Sequence, residues 1–141
     1  MLPPRRSATR IEPAAQPVHA SPSGLLTRYL AARDTGSQDL FVGQQWLGTA
    51  QRVFLHTHSV EEVLVFVSGT GTATLGDQEV TVGPGTTLVL PPGVVHGFRN
   101  DSPTPLHVLV IFPTDHFART DFVEPTPDQS ALQPATIPDW P

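Results

Sequence analysis

The chain has 141 residues, enough for one domain with a core of its own. It carries 13 acidic against 8 basic residues, a formal charge of −5, which argues against a nucleic-acid partner because phosphate backbones are held by basic surfaces. It has no cysteine, which excludes disulfides, thiolate chemistry and zinc–cysteine sites, and its 16 prolines and 11 glycines favour short strands and tight turns over a helix bundle.

Met1 to Gly24 is rich in Pro, Ala and Ser and reads as a flexible or extended segment, residues 1–24. Its basic start has no apolar run behind it, and no stretch of the chain is apolar enough to cross a bilayer; a cytoplasmic location is the default and no membrane partner is expected. Leu25 to Ala32 fits two helical turns or a strand with Leu26, Arg28 and Leu30 on one face. Strands are predicted over Leu40 to Leu47 and Ala50 to His58, the second with Arg52, Phe54, His56 and His58 sharing a face. Val63 to Val67 is strand-forming and apolar on both faces. A hairpin follows around Gly76-Asp77-Gln78, then short strands over Thr86 to Leu90 and Val94 to Phe98, separated by Pro91-Pro92-Gly93. Leu106 to Phe112 is the last strong strand, again apolar on both faces; residues 114–141 read as a partly irregular extension, with Trp140 left without a role. Eight to ten short strands at even spacing predict an all-β sandwich or barrel.

The segment His56-Thr57-His58-Ser59-Val60-Glu61-Glu62 places two imidazoles on one side of a strand with acid close behind. Read locally it is a metal-ligand pair or an exposed polar turn. His96 lies 38 residues beyond His58 and opens a second short segment that a β-fold can bring alongside. Three imidazoles with a carboxylate suit Fe, Mn, Ni, Co or Zn and leave room for water or substrate.

Two motifs here resemble those of the cupins. The first is the His56-Thr57-His58 pair, then three residues, Glu62, six residues and Gly69. The second runs Gly85, five residues, Pro91-Pro92-Gly93, two residues, His96, three residues and Asn100. The first departs at its start, where Ala50 occupies the position that is usually glycine, with Gly48 two residues earlier. The motifs span roughly Gly48 to Asn100, with weaker likeness from Leu25 to Pro113. The resemblance implies a small single-domain cupin of the RmlC-like superfamily: an all-β, double-stranded β-helix (jelly-roll or cupin barrel) over residues 25–113. It implies one divalent transition metal per chain, Fe or Mn first and Ni, Co, Zn or Cu after them, held by His56, His58, Glu62 and His96. Motif spacing selects Glu62 over its neighbour Glu61 as the ligand.

Arg52 has the parity of His56 and reads either as an inward clamp for an anionic oxygen or as a surface residue at a strand edge. His107 reads as a general base or as a core or interface histidine. With Arg52 and His107 as candidate catalytic residues, Phe54, Phe66, Leu88, Leu90 and Phe98 are the candidate pocket wall, and equally an ordinary core. His19 and His116 receive no metal role. The expected partner is a small organic molecule with an oxygen chelate. The expected reaction is that of an Fe- or Mn-dependent oxygenase (an oxidoreductase, dioxygenase-like); the alternatives are a nonoxidative lyase, cyclase, isomerase or decarboxylase, or a ligand-binding cupin without turnover. The doubly apolar strands predict a homodimer, because their second faces need cover.

Overall fold

The computed structural model describes residues 7–138; Trp140 lies outside them. Twelve strands are present among these residues: β1 (Val18–Ala20), β2 (Leu26–Ala31), β3 (Phe41–Leu47), β4 (Arg52–Thr57), β5 (Glu62–Ser68), β6 (Gly71–Leu75), β7 (Gln78–Val82), β8 (Thr87–Leu90), β9 (His96–Arg99), β10 (Leu106–Phe112), β11 (Asp121–Phe122) and β12 (Gln133–Ala135). The ambiguous segment after Gly24 is therefore a strand, β2, antiparallel to β3. The strands β1 and β12, from the two flanking segments, pair with each other, and β1 pairs with β2. No helix of the described residues is long and apolar enough to cross a membrane.

Seven strands form one sheet, in the order β12-β1-β2-β3-β10-β5-β8, and five form another, β11-β4-β9-β6-β7. The barrel expectation is corrected by this topology: the fold is all-β and two-layered, but the two sheets are not closed into a barrel. The physical reason lies in the connections. From β3 onward most turns carry the chain across the core into the other sheet instead of back along the same ladder. Gly83-Pro84-Gly85, for example, sends β7 of the smaller sheet into β8 of the larger. The strands joined by these crossing turns then meet through side chains and not through backbone hydrogen bonds, whereas β6 and β7 pair as a hairpin within the smaller sheet.

The core lies between the layers. In β10, Leu106, Val108, Val110 and Phe112 point inward and are at most 1% exposed; Phe41 of β3 and Phe66 of β5 join them from the same sheet, and Ala73, Val82 and Phe98 meet them from the other. Branched and aromatic residues at period two fit a pleated surface buried on one side.

Two backbone positions hold the loops around the site. Gly69, at φ +82°, would put a Cβ 2.3 Å from the Pro105 carbonyl oxygen, so only glycine fits. Ala50, which replaces the usual motif glycine, still adopts φ 67°. That conformation costs a non-glycine residue about 1–2 kcal/mol, and the Ala50 N–H holds it by donating to the Asn100 carbonyl at 2.8 Å.

Candidate metal centre and its cavity

Short-range geometry delivers the four candidate ligands to one point. His56 lies on β4, His58 just past its end, and Glu62 is the first residue of β5. The turn over residues 58–61 reverses the chain between sheets, so Glu62 Oε2 returns to 3.6 Å from His58 Nε2. His96 opens β9 directly opposite His56 in the ladder. The turn before it is anchored by the Gly93 N–H donating to the His58 carbonyl at 2.9 Å. One ligand atom from each of the four residues falls within 4.8 Å of all the others, and all four side chains are buried.

The hydrogen bonds behind these side chains determine what faces the centre. His56 Nδ1 meets the Phe54 carbonyl at 2.6 Å, His58 Nδ1 the Arg119 carbonyl at 2.9 Å, and His96 Nδ1 the Val94 carbonyl at 2.9 Å. A carbonyl only accepts, so each Nδ1 carries a proton and each Nε2 faces the centre. Burial above all, with His96 and His58 close by, pushes the His56 pKa down to about 3, so this imidazole stays neutral. His56 Nε2 and His58 Nε2 sit 3.1 Å apart. Glu62 Oε1 and His96 Nε2 are 2.8 Å apart, both buried, and neither has a hydrogen bond of acceptable geometry. Buried polar atoms left without a partner are costly unless a cation satisfies them. The residues present therefore fit a divalent metal, with three imidazole nitrogens and one carboxylate as donors.

Aromatic rings fix the ligands from behind. Phe112 packs edge-on to His58 at 4.9 Å between centroids, and Phe122 meets His56 at 5.9 Å. The cluster opens into a cavity of about 420 Å³ lined by His56, Glu62 and His96 and walled by Phe54, Phe98, Phe117 and Phe122. The C-terminal segment closes one side: β11 pairs with β4, β12 pairs with β1, and residues 126–130 between them line the cavity.

The structure distributes the other sequence-predicted residues unevenly. Phe54 and Phe98 line the cavity, whereas Phe66, Leu88 and Leu90 are buried in the core and do not. Arg52 stands at the mouth with half its side chain exposed, over the Phe54 ring and ion-paired with Glu124. Glu124 is itself fixed by the Leu55 N–H at 3.1 Å. His107 does not line the cavity. It points to the outer face of the larger sheet, stacked on Trp46 at 4.6 Å, with Nδ1 bonded to the Gln45 carbonyl at 3.0 Å. Leu106 and Val108 on either side point inward, so strand alternation turns His107 out. Sequence reading missed Glu124, Phe117, Phe122 and a polar group on β1 to β3. Alternation in Leu26–Ala31 and Phe41–Leu47 carried a signal for Thr27, Tyr29 and Gln45; the flanking segments carried none.

Residues 48–112 match the family model described as a cupin domain. No curated protein sequence matches the chain. Among solved structures, the polyketide cyclase RemF from Streptomyces resistomycificus superposes with a TM-score of 0.67 at 20% identity, covering 92% of this chain and 89% of the cyclase. Bacillus subtilis oxalate decarboxylase, a protein with Mn(II) centres, gives 0.71 at 18% identity over 84% of this chain, which spans about one third of the decarboxylase (34%). A double-stranded β-helix protein from Klebsiella pneumoniae gives 0.57 at 21%, covering 63% and 78% of the two chains. With a cyclase and decarboxylases as the named enzymes among these neighbours, the oxidoreductase and dioxygenase expectation is corrected. The family match over residues 48–112, the paired motifs and the converging histidines and glutamate identify a small cupin domain with a clustered His/Glu metal-binding site, consistent with the RmlC-like cupin superfamily.

Proposed function

We propose that the protein is a nonoxidative, metal-dependent enzyme of the lyase, cyclase, isomerase or decarboxylase type, with cyclase-like chemistry favoured. Its substrate is a small organic compound that presents an oxygen chelate on an apolar body. The observation that carries this reading is the buried cluster of three imidazole Nε2 atoms and Glu62, with Glu62 Oε1 and His96 Nε2 unpartnered, at one end of an aromatic-walled cavity. Mn or Fe fits that mixed nitrogen and oxygen set, and Mn is the metal of the decarboxylase named above. A divalent ion held there supplies Lewis acidity toward a carbonyl or enolate oxygen.

The chain's own residues argue for an apolar substrate over a small dianion. Arg52, the one arginine along the described cavity wall, is neutralised by Glu124, and Asp128 adds a further acidic group. An oxalate-sized dianion would meet no unpaired guanidinium, while Phe54, Phe98, Phe117 and Phe122 offer faces for a planar ring. The likeness to the cyclase extends over nearly the whole of both chains, which supports the same choice.

A direct assay uses 1-phenylhexane-1,3,5-trione. Attack of its terminal methyl carbon on the benzoyl carbonyl, followed by loss of one water, gives 5-phenylresorcinol with no oxidant consumed. Mn-loaded protein is expected to accelerate this closure by at least about 10²-fold over free Mn(II), the contribution of one positioned catalytic group. A rate equal to that of metal-stripped protein defeats the reading; tight metal-dependent binding without turnover favours the ligand-binding alternative.

We further propose that a second copy of the chain covers the outer face of the larger sheet. Val42, Ile111, Val63 and Val89 lie in one row across β3, β10, β5 and β8, with Leu109 and Val65 in the next. Val89 is 62% exposed and Val67 43%, and the row holds no charge. A two-fold pairing covers both copies at once and shields about 1.5–3 kcal/mol for each fully buried Val or Leu. Light scattering at micromolar protein should give twice the 15.2 kDa of one chain; a persistent monomer mass rejects the dimer.

A further inference from the structure

The inner face of the larger sheet carries a polar strip where its neighbours are apolar. His19 on β1 lies directly opposite Thr27 on β2, and Thr27 directly opposite Gln45 on β3. All three line the cavity. The same row continues to Val108 on β10 and Phe66 on β5, which do not line it and are buried among apolar neighbours. Polarity in this row thus stops where the cavity wall stops.

Thr27 and Gln45 are each only 6% exposed. Their one mutual bond is long, Gln45 Nε2 donating to Thr27 Oγ1 at 3.4 Å. Among the described residues, the Thr27 hydroxyl proton and Gln45 Oε1 have no other partner. A valine and a leucine would fill this wall without leaving polar groups underused, so a core requirement does not account for the pair. His19, at the outer end of the strip, packs edge-on to Tyr29 at 5.3 Å, and neither of its ring nitrogens is bonded to a described residue. Burial lowers its pKa, so at neutral pH it offers one donor and one acceptor nitrogen.

We propose that His19, Thr27 and Gln45 form a second recognition point in the cavity, taking a hydroxyl or carbonyl oxygen of the substrate away from the metal cluster. The metal cluster bridges the layers, with His56 and His96 on the smaller sheet and Glu62 on β5 of the larger; the strip lies on β1 to β3 of that larger sheet, with β10 between it and β5, so the two recognition points sit apart along the cavity. The substrate class follows: a planar aromatic, or a chain about to become one, with one oxygen pair for chelation and a further oxygen on its far side. Aromatic walls alone do not orient such a ring; an oxygen contact at each end does. This assignment rests on the chelate reading proposed above and specifies its substrate.

The test measures binding of two probes to Mn-loaded protein by titration. One is 2-acetyl-1-naphthol, which carries only the chelating pair; the other is its 6-hydroxy derivative. Wild type is expected to prefer the hydroxylated probe by roughly tenfold, the worth of one good hydrogen bond. Thr27→Val, which is nearly isosteric, and Gln45→Leu should each reduce that preference to less than about twofold while manganese content and the thermal transition stay near wild type. Equal affinity of wild type for the two probes overturns the strip, as does a preference that survives both substitutions. Affinity for 2-acetyl-1-naphthol that is indifferent to removal of manganese instead overturns the chelate reading, so the two failures are distinct.

Discussion

Replacing His58 or His96 with alanine is expected to lower divalent-metal affinity by more than about 100-fold, since even the partners behind metal ligands account for 10–100-fold. Each histidine supplies a lone pair that nothing else within reach replaces. His58 Nε2 is 3.1 Å from His56 Nε2, and His96 Nε2 is 2.8 Å from Glu62 Oε1. The fold should survive, because the apolar core between the layers is continuous without them. A binding signature separates the effects: metal at 100 times its dissociation constant should stabilise wild type by about 2.7 kcal/mol against unfolding, and neither variant at the same concentration. Metal analysis and thermal melts read both quantities. Unchanged metal stoichiometry in both variants would remove the four-residue centre from consideration.

Asn100 is expected to be the most sensitive polar position outside the centre. Its side chain is 1% exposed and serves three places at once. Nδ2 donates to the Leu47 carbonyl at 3.0 Å and the Thr104 carbonyl at 2.7 Å, and Oδ1 accepts from the Ser102 N–H at 3.0 Å. Its backbone also accepts from Ala50 and donates to Gln51. It therefore pins the β3–β4 turn that introduces His56 and His58 to the loop between β9 and β10. With the Ser102 hydroxyl also donating to Oδ1 at 2.8 Å, Asn100→Ala loses four bonds and should cost about 4 kcal/mol, at roughly 1 kcal/mol for each. Asn100→Asp, nearly the same shape, should cost at least as much, because a carboxylate cannot donate and would face two carbonyl oxygens. Denaturant unfolding measures both; an aspartate variant close to wild type in stability would contradict the donor role.

The two predictions draw on residues that the chain itself marked. His56, His58, Glu62, His96 and Asn100 fall in two short motifs whose spacing is a local property. A turn of fixed length returns Glu62 to His58, and Pro91-Pro92-Gly93 aims His96 at β4. Period-two alternation likewise exposed the strands between Phe41 and Phe112, even where boundaries moved by a residue or two.

Other features depended on which strands became neighbours. Both faces of β10 are apolar, so its pattern alone left open whether His107 or Leu106 and Val108 faced inward; pairing with β3 and β5 put His107 on the outside. Arg52 looked free to clamp an anion until Glu124, 72 residues away, met it at the cavity mouth. The row from His19 through Thr27 to Gln45 exists only because β1, β2 and β3 align in register, and the aromatic wall at Phe117 and Phe122 only because the C-terminal segment returns to β4 and β1. By itself, then, the sequence determined the strands between Phe41 and Phe112 and the four residues that gather as the candidate metal centre. The tertiary structure alone decided that the sheets stay open, what walls the cavity, and which charges there are already neutralised. Ligand geometry at a centre built from two turns is written in short-range spacing, whereas long-range pairing leaves no periodic trace in the chain.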